Sequence, residues 1–88
     1  MGIEMGDFFT YMALCADGTL YTGWTTNLVR RIAAHNGAGC AGAKYTRMRR
    51  PVTLVFAERH GTKSEAMSRE WHIKKMTRKE KMRLIGWE

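Results

Sequence analysis

Two apolar, aromatic-rich runs, FFTYMALC at 8–15 and TLYTGW at 19–24, stand only three residues apart. Runs of this length and composition read as strands, and Ala16-Asp17-Gly18 between them reads as a turn. The chain must therefore open with a β-hairpin. The turn admits two registers. A two-residue Asp17-Gly18 turn pairs residue 16 with 19 and sends Tyr11 and Tyr21 to opposite faces. A three-residue loop with Gly18 in the left-handed conformation pairs 15 with 19. Tyr11 then lies opposite Gly23 and shares a face with Tyr21, because a one-residue slip flips every side chain. Both turns suit the residues.

Downstream, start and stop signals divide the rest. Thr26 and Asn27 are N-cap types ahead of LVRRIAAH, and Asn36-Gly37 is a stop, which predicts a helix over 28–35. Residues 37–50 turn glycine- and alanine-rich and then basic (KYTRMRR), the pattern of a mobile loop. VTLVFAER at 52–59 is apolar on both faces and predicts a third, well-covered strand. Thr62-x-x-Glu65 has capping-box spacing and opens a helix running to about residue 76. Thr77-x-x-Glu80 repeats the signal, so a short last helix is expected over 78–84, ended by Gly86. The order β-β-α-loop-β-α-α implies an α+β fold: a three-stranded antiparallel β-sheet flanked by helices.

With 88 residues, this is expected to be one domain (1–88, core about 8–85) that buries roughly 60–65% of its unfolded surface. That leaves no room for a large organic cofactor. At 44% hydrophobic and 26% charged, the chain is in the ordinary globular class rather than the disordered one. A membrane span or a secretory leader is not expected. Fifteen Lys and Arg against eight Asp and Glu leave +7, a balance that favours polyanions, nucleic acid first. Cys15 and Cys40 match neither a zinc spacing nor a disulfide framework and read as reduced thiols.

Several residues could carry chemistry. In the first helix Leu28, Ile32 and His35 form a stripe, with Arg31 four residues before His35. A solvated Arg and a capping His are the ordinary alternative. In the second, Glu70 falls within the apolar stripe of Ala66 and Ile73, beside Met67 and Trp71. A carboxylate there must be paired, solvated by a cleft or bound to a metal. Lys44, Arg47, Arg49 and Arg50 cluster in the loop around Tyr45, where phosphate contact is attractive. Seven Lys and Arg from Arg69 to Arg83, Lys74 and Lys75 among them, face two glutamates, a pattern usual for a solvated helix surface. His60 and His72 lack partners at zinc spacing. Gly37-x-Gly39-x-x-Gly42 follows a helix rather than a strand, the wrong context for a dinucleotide fingerprint.

Taken in order, these residues resemble the GIY-YIG nuclease superfamily, in its small single-domain bacterial branch, from about Thr10 to Ile85. The first motif falls on Thr10-Tyr11-Met12, with Phe9-Thr10 standing where the family has Gly-Ile. The second falls on Tyr21-Thr22-Gly23. The family's Arg, with a His four residues later, falls on Arg31 and His35. Its acidic residue falls on Glu70 in Arg69-Glu70-Trp71. Ala43-Lys44-Tyr45-Thr46-Arg47 and Ile73-Lys74-Lys75 are similar to the compact bacterial members. The resemblance implies a metal-dependent endonuclease with Tyr11, Tyr21, Arg31, His35 and Glu70 at its catalytic site. Glu70 would hold a single divalent ion, Mg²⁺ or Mn²⁺, which tolerates a sparse oxygen ligand set. Arg31 would clamp phosphate. Tyr11 or Tyr21 would orient or deprotonate the attacking water, provided nearby cations lower its pKa. His35 would hold a tyrosine's oxygen or relay its proton. The expected partner is DNA, possibly branched or single-stranded, met by Lys44, Tyr45, Arg47, Arg49, Arg50, Lys74 and Lys75. With no DNA-binding domain expected beyond the core, a protein partner would supply the target. A cytoplasmic, nucleoid-associated protein is expected. Two alternatives stand beside the nuclease: a non-catalytic nucleic-acid-binding module, and a repair-complex subunit that retains the fold.

Overall fold

A computed structural model of the chain describes residues 6–38 and 43–87. Strand β1 (Phe8–Leu14) and strand β2 (Leu20–Thr25) form the opening hairpin. The chain takes the three-residue loop. Cys15 N–H donates to Thr19 O, Gly18 N–H donates to Cys15 O, and Gly18 has φ +86°. Asp17 Oδ1 accepts from both the backbone N–H and the hydroxyl of Thr19. These bonds settle the register: Tyr11 lies opposite Gly23 and Ala13 opposite Tyr21. Both tyrosines therefore share one face.

Helix α1 (Leu28–His35) starts at Asn27, whose side chain accepts from Arg30 N–H. A short helix, α2 (Lys44–Arg47), follows where the sequence predicts only loop. It is held from outside its own four residues, by Arg49 and by His35, and local propensity cannot reveal that. Cys40, Gly39 and Gly42 lie outside the described residues, so the second thiol and most of the glycine motif do too.

Strand β3 (Thr53–His60) pairs antiparallel with the other edge of β1, giving the order β2-β1-β3. An irregularity in its pairing falls between Met12 and Ala13. The apolar run at 52–59 predicts a strand covered on both faces, and this is not what is found. β3 is an edge strand with Thr53, Leu54, Ala57 and Arg59 exposed. β1 is the covered strand, since it alone has neighbours on both sides: residues 10–13 are all buried.

Helix α3 (Lys63–Lys74) ends two residues earlier than its predicted stop, and α4 (Arg78–Ile85) follows. The second capping box is complete: Thr77 and Glu80 each accept from the other's backbone N–H. In the first, Thr62 accepts from Glu65 N–H, but Glu65 reaches back to Gly61 rather than to Thr62. No helix among the described residues is long and apolar enough to cross a membrane.

The sheet has helices on both faces. Leu28 and Ile32 of α1 pack against Tyr11, Ala13, Cys15 and Val52. The opposite face meets α3, where the Thr10 hydroxyl donates to Ala66 O at 2.8 Å. Ala66 and Ile73 are the buried residues of that helix. Truncating Ile73 to Ala should leave a cavity and cost about 2–5 kcal/mol, a large part of the stability of a domain this size. Val29→Ala, on the exposed side of α1, should change stability by less than about 0.5 kcal/mol. Urea unfolding of the two variants checks both expectations.

Candidate active site

The sheet face under α1 collects the first group of site residues. Tyr11 is fully buried at the centre of β1. Its position depends on the missing side chain of Gly23 across the strand pair. A Cβ there would stand 2.8 Å from Tyr11 Oη and 3.0 Å from Cζ, too close for either group to stay in place. The hairpin register thus makes a slot, and glycine keeps it open for a phenol.

His35, on the last turn of α1, is also completely buried. Its Nε2 lies 2.6 Å from Tyr11 Oη and its Nδ1 lies 2.7 Å from Thr46 Oγ1. Arg31, one turn earlier, donates from Nε to Tyr11 Oη at 3.4 Å and also hydrogen-bonds Tyr21. Tyr21 packs edge-on against the His35 ring at 5.0 Å and lies 5.8 Å from the Tyr45 ring of α2. Tyr21 is half-buried, whereas Tyr11 is sealed.

Burial sets the protonation states. It pushes the Tyr11 phenol up to about 12, against the hydrogen bond and charge of Arg31, which pull it down. Arg31 by itself does not bring Tyr11 into the working range: desolvation outweighs one guanidinium. Burial also depresses the His35 imidazole to about 4, helped by the charges of Arg31 and Arg50. His35 is neutral at pH 7. For Arg31 burial opposes the charge, but the hydrogen bonds and charges of Tyr11 and Tyr21 outweigh it and strengthen its hold on the proton.

Glu70 stands on α3, mostly covered, with its side chain 18% exposed. Its charge is close enough to raise the Tyr11 pKa. Of the three environments the sequence allows, the structure shows a pairing, with Lys74 one turn on, its Nζ 2.9 Å from Oε2. Among the described residues no three His, Cys, Asp or Glu side chains converge into a metal cage. Glu70 could still hold a hard divalent ion as its one protein oxygen. Such an ion keeps several waters and draws further oxygens from a phosphate. Lys74 would have to give up the carboxylate.

The basic residues divide. Lys44 and Arg47 are exposed on α2. Arg49 donates to Asp17 and to Tyr45 O, and its guanidinium lies 4.0 Å above the Tyr45 ring. Arg50 donates to His35 O at 2.6 Å and so holds the C-terminal end of α1. Lys75 sits 3.8 Å over the exposed Trp71 ring. One member of the cluster, Thr46, lies in the Ala43–Arg47 motif, but the sequence assigns it no role. It is a small polar residue between two cations, and its burial against His35 depends on how α2 docks.

A three-stranded antiparallel sheet between helices, with paired tyrosines, an arginine and a histidine on one face, defines a small α+β domain of nuclease type. The GIY-YIG catalytic domain family matches residues 7–83, and the chain belongs to that family. A UPF0213 protein of Clostridium perfringens is 57% identical over 78 residues, covering 89% of this chain and 82% of the relative. One from Natronomonas pharaonis is 52% identical over 82 residues, covering 93% and 94%. Among solved structures, a solution NMR structure from E. faecalis aligns with TM-score 0.59 and 41% identity over 90% of this chain and 82% of that one. The UPF0213 protein of Bacillus halodurans aligns with TM-score 0.58 and 33% identity over 93% and 85%.

A histidine held neutral by burial makes folding pH-dependent. The unfolded chain takes up a proton below about pH 6.5, and the folded one only near 4. Stability is therefore complete above 6.5 and is lost as the pH falls towards 4. At about 1.4 kcal/mol per pKa unit the loss is on the order of 3 kcal/mol. Denaturant titrations at stepped pH should show this loss in the parent and its absence in His35→Gln.

Proposed function

We propose that this domain hydrolyses phosphodiester bonds in DNA as a metal-dependent endonuclease, with Mg²⁺ or Mn²⁺ held at Glu70. The observation that carries the reading is the contiguous set of Arg31, Tyr11, His35 and Tyr21, brought from two strands and a helix onto one face. A neutral, buried phenol–imidazole pair under a guanidinium suits a reaction that must bind an anion and dispose of a proton.

Arg31 binds the phosphate, its planar fork matching two oxygens. Tyr21, the more accessible phenol, orients the attacking water. Tyr11, too weak an acid to act as a phenolate, passes its proton to neutral His35 Nε2 as its oxygen takes up the one released at the site. General-base assistance of this kind contributes roughly 10²–10⁴-fold. A divalent ion at Glu70 would supply Lewis-acid stabilisation of charge developing on the phosphate. Lys44 and Arg47, exposed on α2, meet the DNA backbone. Arg49 and Arg50 shape the site from below, since their guanidinium groups already serve protein partners. The target-selecting protein partner and the nucleoid location belong to this same reading.

The Glu70–Lys74 ion pair favours a second reading, a non-catalytic nucleic-acid-binding module or repair-complex subunit, in which Lys74 neutralises Glu70 permanently. A cleavage assay on duplex, single-stranded and branched DNA with Mg²⁺, Mn²⁺ or EDTA separates the two. The nuclease reading expects metal-dependent cutting that Glu70→Ala abolishes, while DNA binding stays equal or strengthens. Salt-sensitive binding without cutting, by parent and variant alike, would favour the module. Within the nuclease reading Arg31→Ala should lower kcat/KM by at least about 10²-fold. Lys79→Ala, an exposed charge on α4, should change it by only a few-fold. Steady-state rates on one substrate compare them.

A further inference from the structure

Two further side chains and one main-chain carbonyl continue the Tyr11–His35 contact into an unbroken series: Arg31, Tyr11, His35, Thr46 and the Ala43 carbonyl. Its two ends have fixed polarity. A guanidinium only donates, and a carbonyl only accepts. Each hydroxyl between them carries one proton, and so does the neutral imidazole. A head-to-tail arrangement satisfies every member once. Arg31 Nε–H donates to Tyr11 Oη at 3.4 Å, and the Tyr11 hydroxyl donates to His35 Nε2 at 2.6 Å. His35 Nδ1–H then donates to Thr46 Oγ1 at 2.7 Å, and the Thr46 hydroxyl donates to Ala43 O at 3.0 Å.

The opposite tautomer breaks this order. Nε2–H and Arg31 Nε–H would both point at Tyr11 Oη, and the Tyr11 proton would lose His35 as its acceptor inside a fully buried pocket. A buried donor left without a partner is costly. The Ala43 N–H also points at Nδ1, at 3.5 Å, a contact that suits the opposite tautomer but is far longer than the 2.7 Å from Nδ1 to Thr46 Oγ1. Thr46 itself is fully buried, so water does not compete for its hydroxyl.

We propose that Thr46 is a positioning residue that holds His35 as its Nδ1–H tautomer and so leaves Nε2 as the acceptor for the Tyr11 proton. The catalytic consequence rests on the nuclease reading; the tautomer does not. Thr46 sits between the exposed cations Lys44 and Arg47 on α2. The helix offered to the DNA backbone is therefore the one that orients the buried histidine. The partner opposite a histidine's reacting nitrogen commonly decides its tautomer.

The test is long-range ¹H–¹⁵N NMR of the imidazoles at pH 7 in the parent, Thr46→Ser and Thr46→Val, with the His35 signals identified by their loss in His35→Gln. Parent and Thr46→Ser should show a protonated Nδ1 and a bare Nε2. Thr46→Val, isosteric but without the hydroxyl, should move population to Nε2–H. A parent with Nε2–H, or a folded Thr46→Val that keeps the parent tautomer, overturns the proposal. On whichever DNA the parent cleaves, Thr46→Val should lower kcat roughly 10–100-fold, the scale of losing a histidine's orienting partner. KM should be unchanged, and Thr46→Ser should recover most of the rate. A folded Thr46→Val that cuts at the parent rate overturns the role. Should the parent cleave nothing, the nuclease reading falls and the tautomers of the parent and of Thr46→Val decide the positioning claim as above. Should Thr46→Val not fold, the parent and Thr46→Ser spectra decide in the same way.

Discussion

A neutral imidazole sealed between a phenol and a hydroxyl ties together three segments that are distant in the chain: β1, the end of α1 and the short helix α2. His35 meets Tyr11 from 24 residues away and Thr46 from 11. A polar group buried this deeply is tolerated only when its hydrogen bonds are made. The docking of α1 on the sheet, the placement of α2 and the protonation of the site therefore stand or fall together. Arg50 strengthens the link by gripping the carbonyl of His35 from the start of the β3 segment.

That contact needs a slot for the tyrosine, and the hairpin provides it. The three-residue turn puts Gly23 opposite Tyr11 and Tyr21 opposite Ala13. The other turn would have moved Tyr21 to the α3 face, away from Arg31. A choice made in the backbone of residues 15–19 thus decides whether two phenols share one guanidinium. The same face receives α1, whose stripe of Leu28 and Ile32 orients Arg31 and His35 towards the sheet. Across the sheet α3 anchors through Thr10 and Ile73 and carries Glu70, whose charge is felt by Tyr11. Opposing demands meet here: burial keeps Tyr11 and His35 neutral, while Arg31 keeps its charge on the same face.

Much of this was legible in the residues. The hairpin, α1 and α4 follow from local signals that act within a few residues: a turn glycine, an asparagine cap, a capping box. The set of Tyr11, Tyr21, Arg31, His35 and Glu70 could be proposed from the residues through their resemblance, in order, to the family's motifs. What misled were features whose cause lies elsewhere in the chain. VTLVFAER looks doubly covered because its own side chains are apolar; coverage depends on neighbours, and β3 has one strand beside it. KYTRMRR looks like loop because four residues rarely hold a helix alone; α2 is held by Arg49 and by the Thr46–His35 contact. Arg49 and Arg50 show only their charge in the sequence; the bonds that tie them to Asp17 and to the His35 carbonyl, 32 and 15 residues away, are not visible there.

The sequence by itself determined the described elements other than α2, their order, the basic character and which residue types were available for chemistry, because these depend on local propensity, capping and periodicity. Tertiary structure alone decided the register of the hairpin, the edge position of β3, the neutrality of Tyr11 and His35, and the place of Thr46. Each of these depends on desolvation or on a hydrogen bond between residues far apart in the chain. Burial is a property of how surfaces meet, and a proton's position inside a buried series is set by all of its members at once.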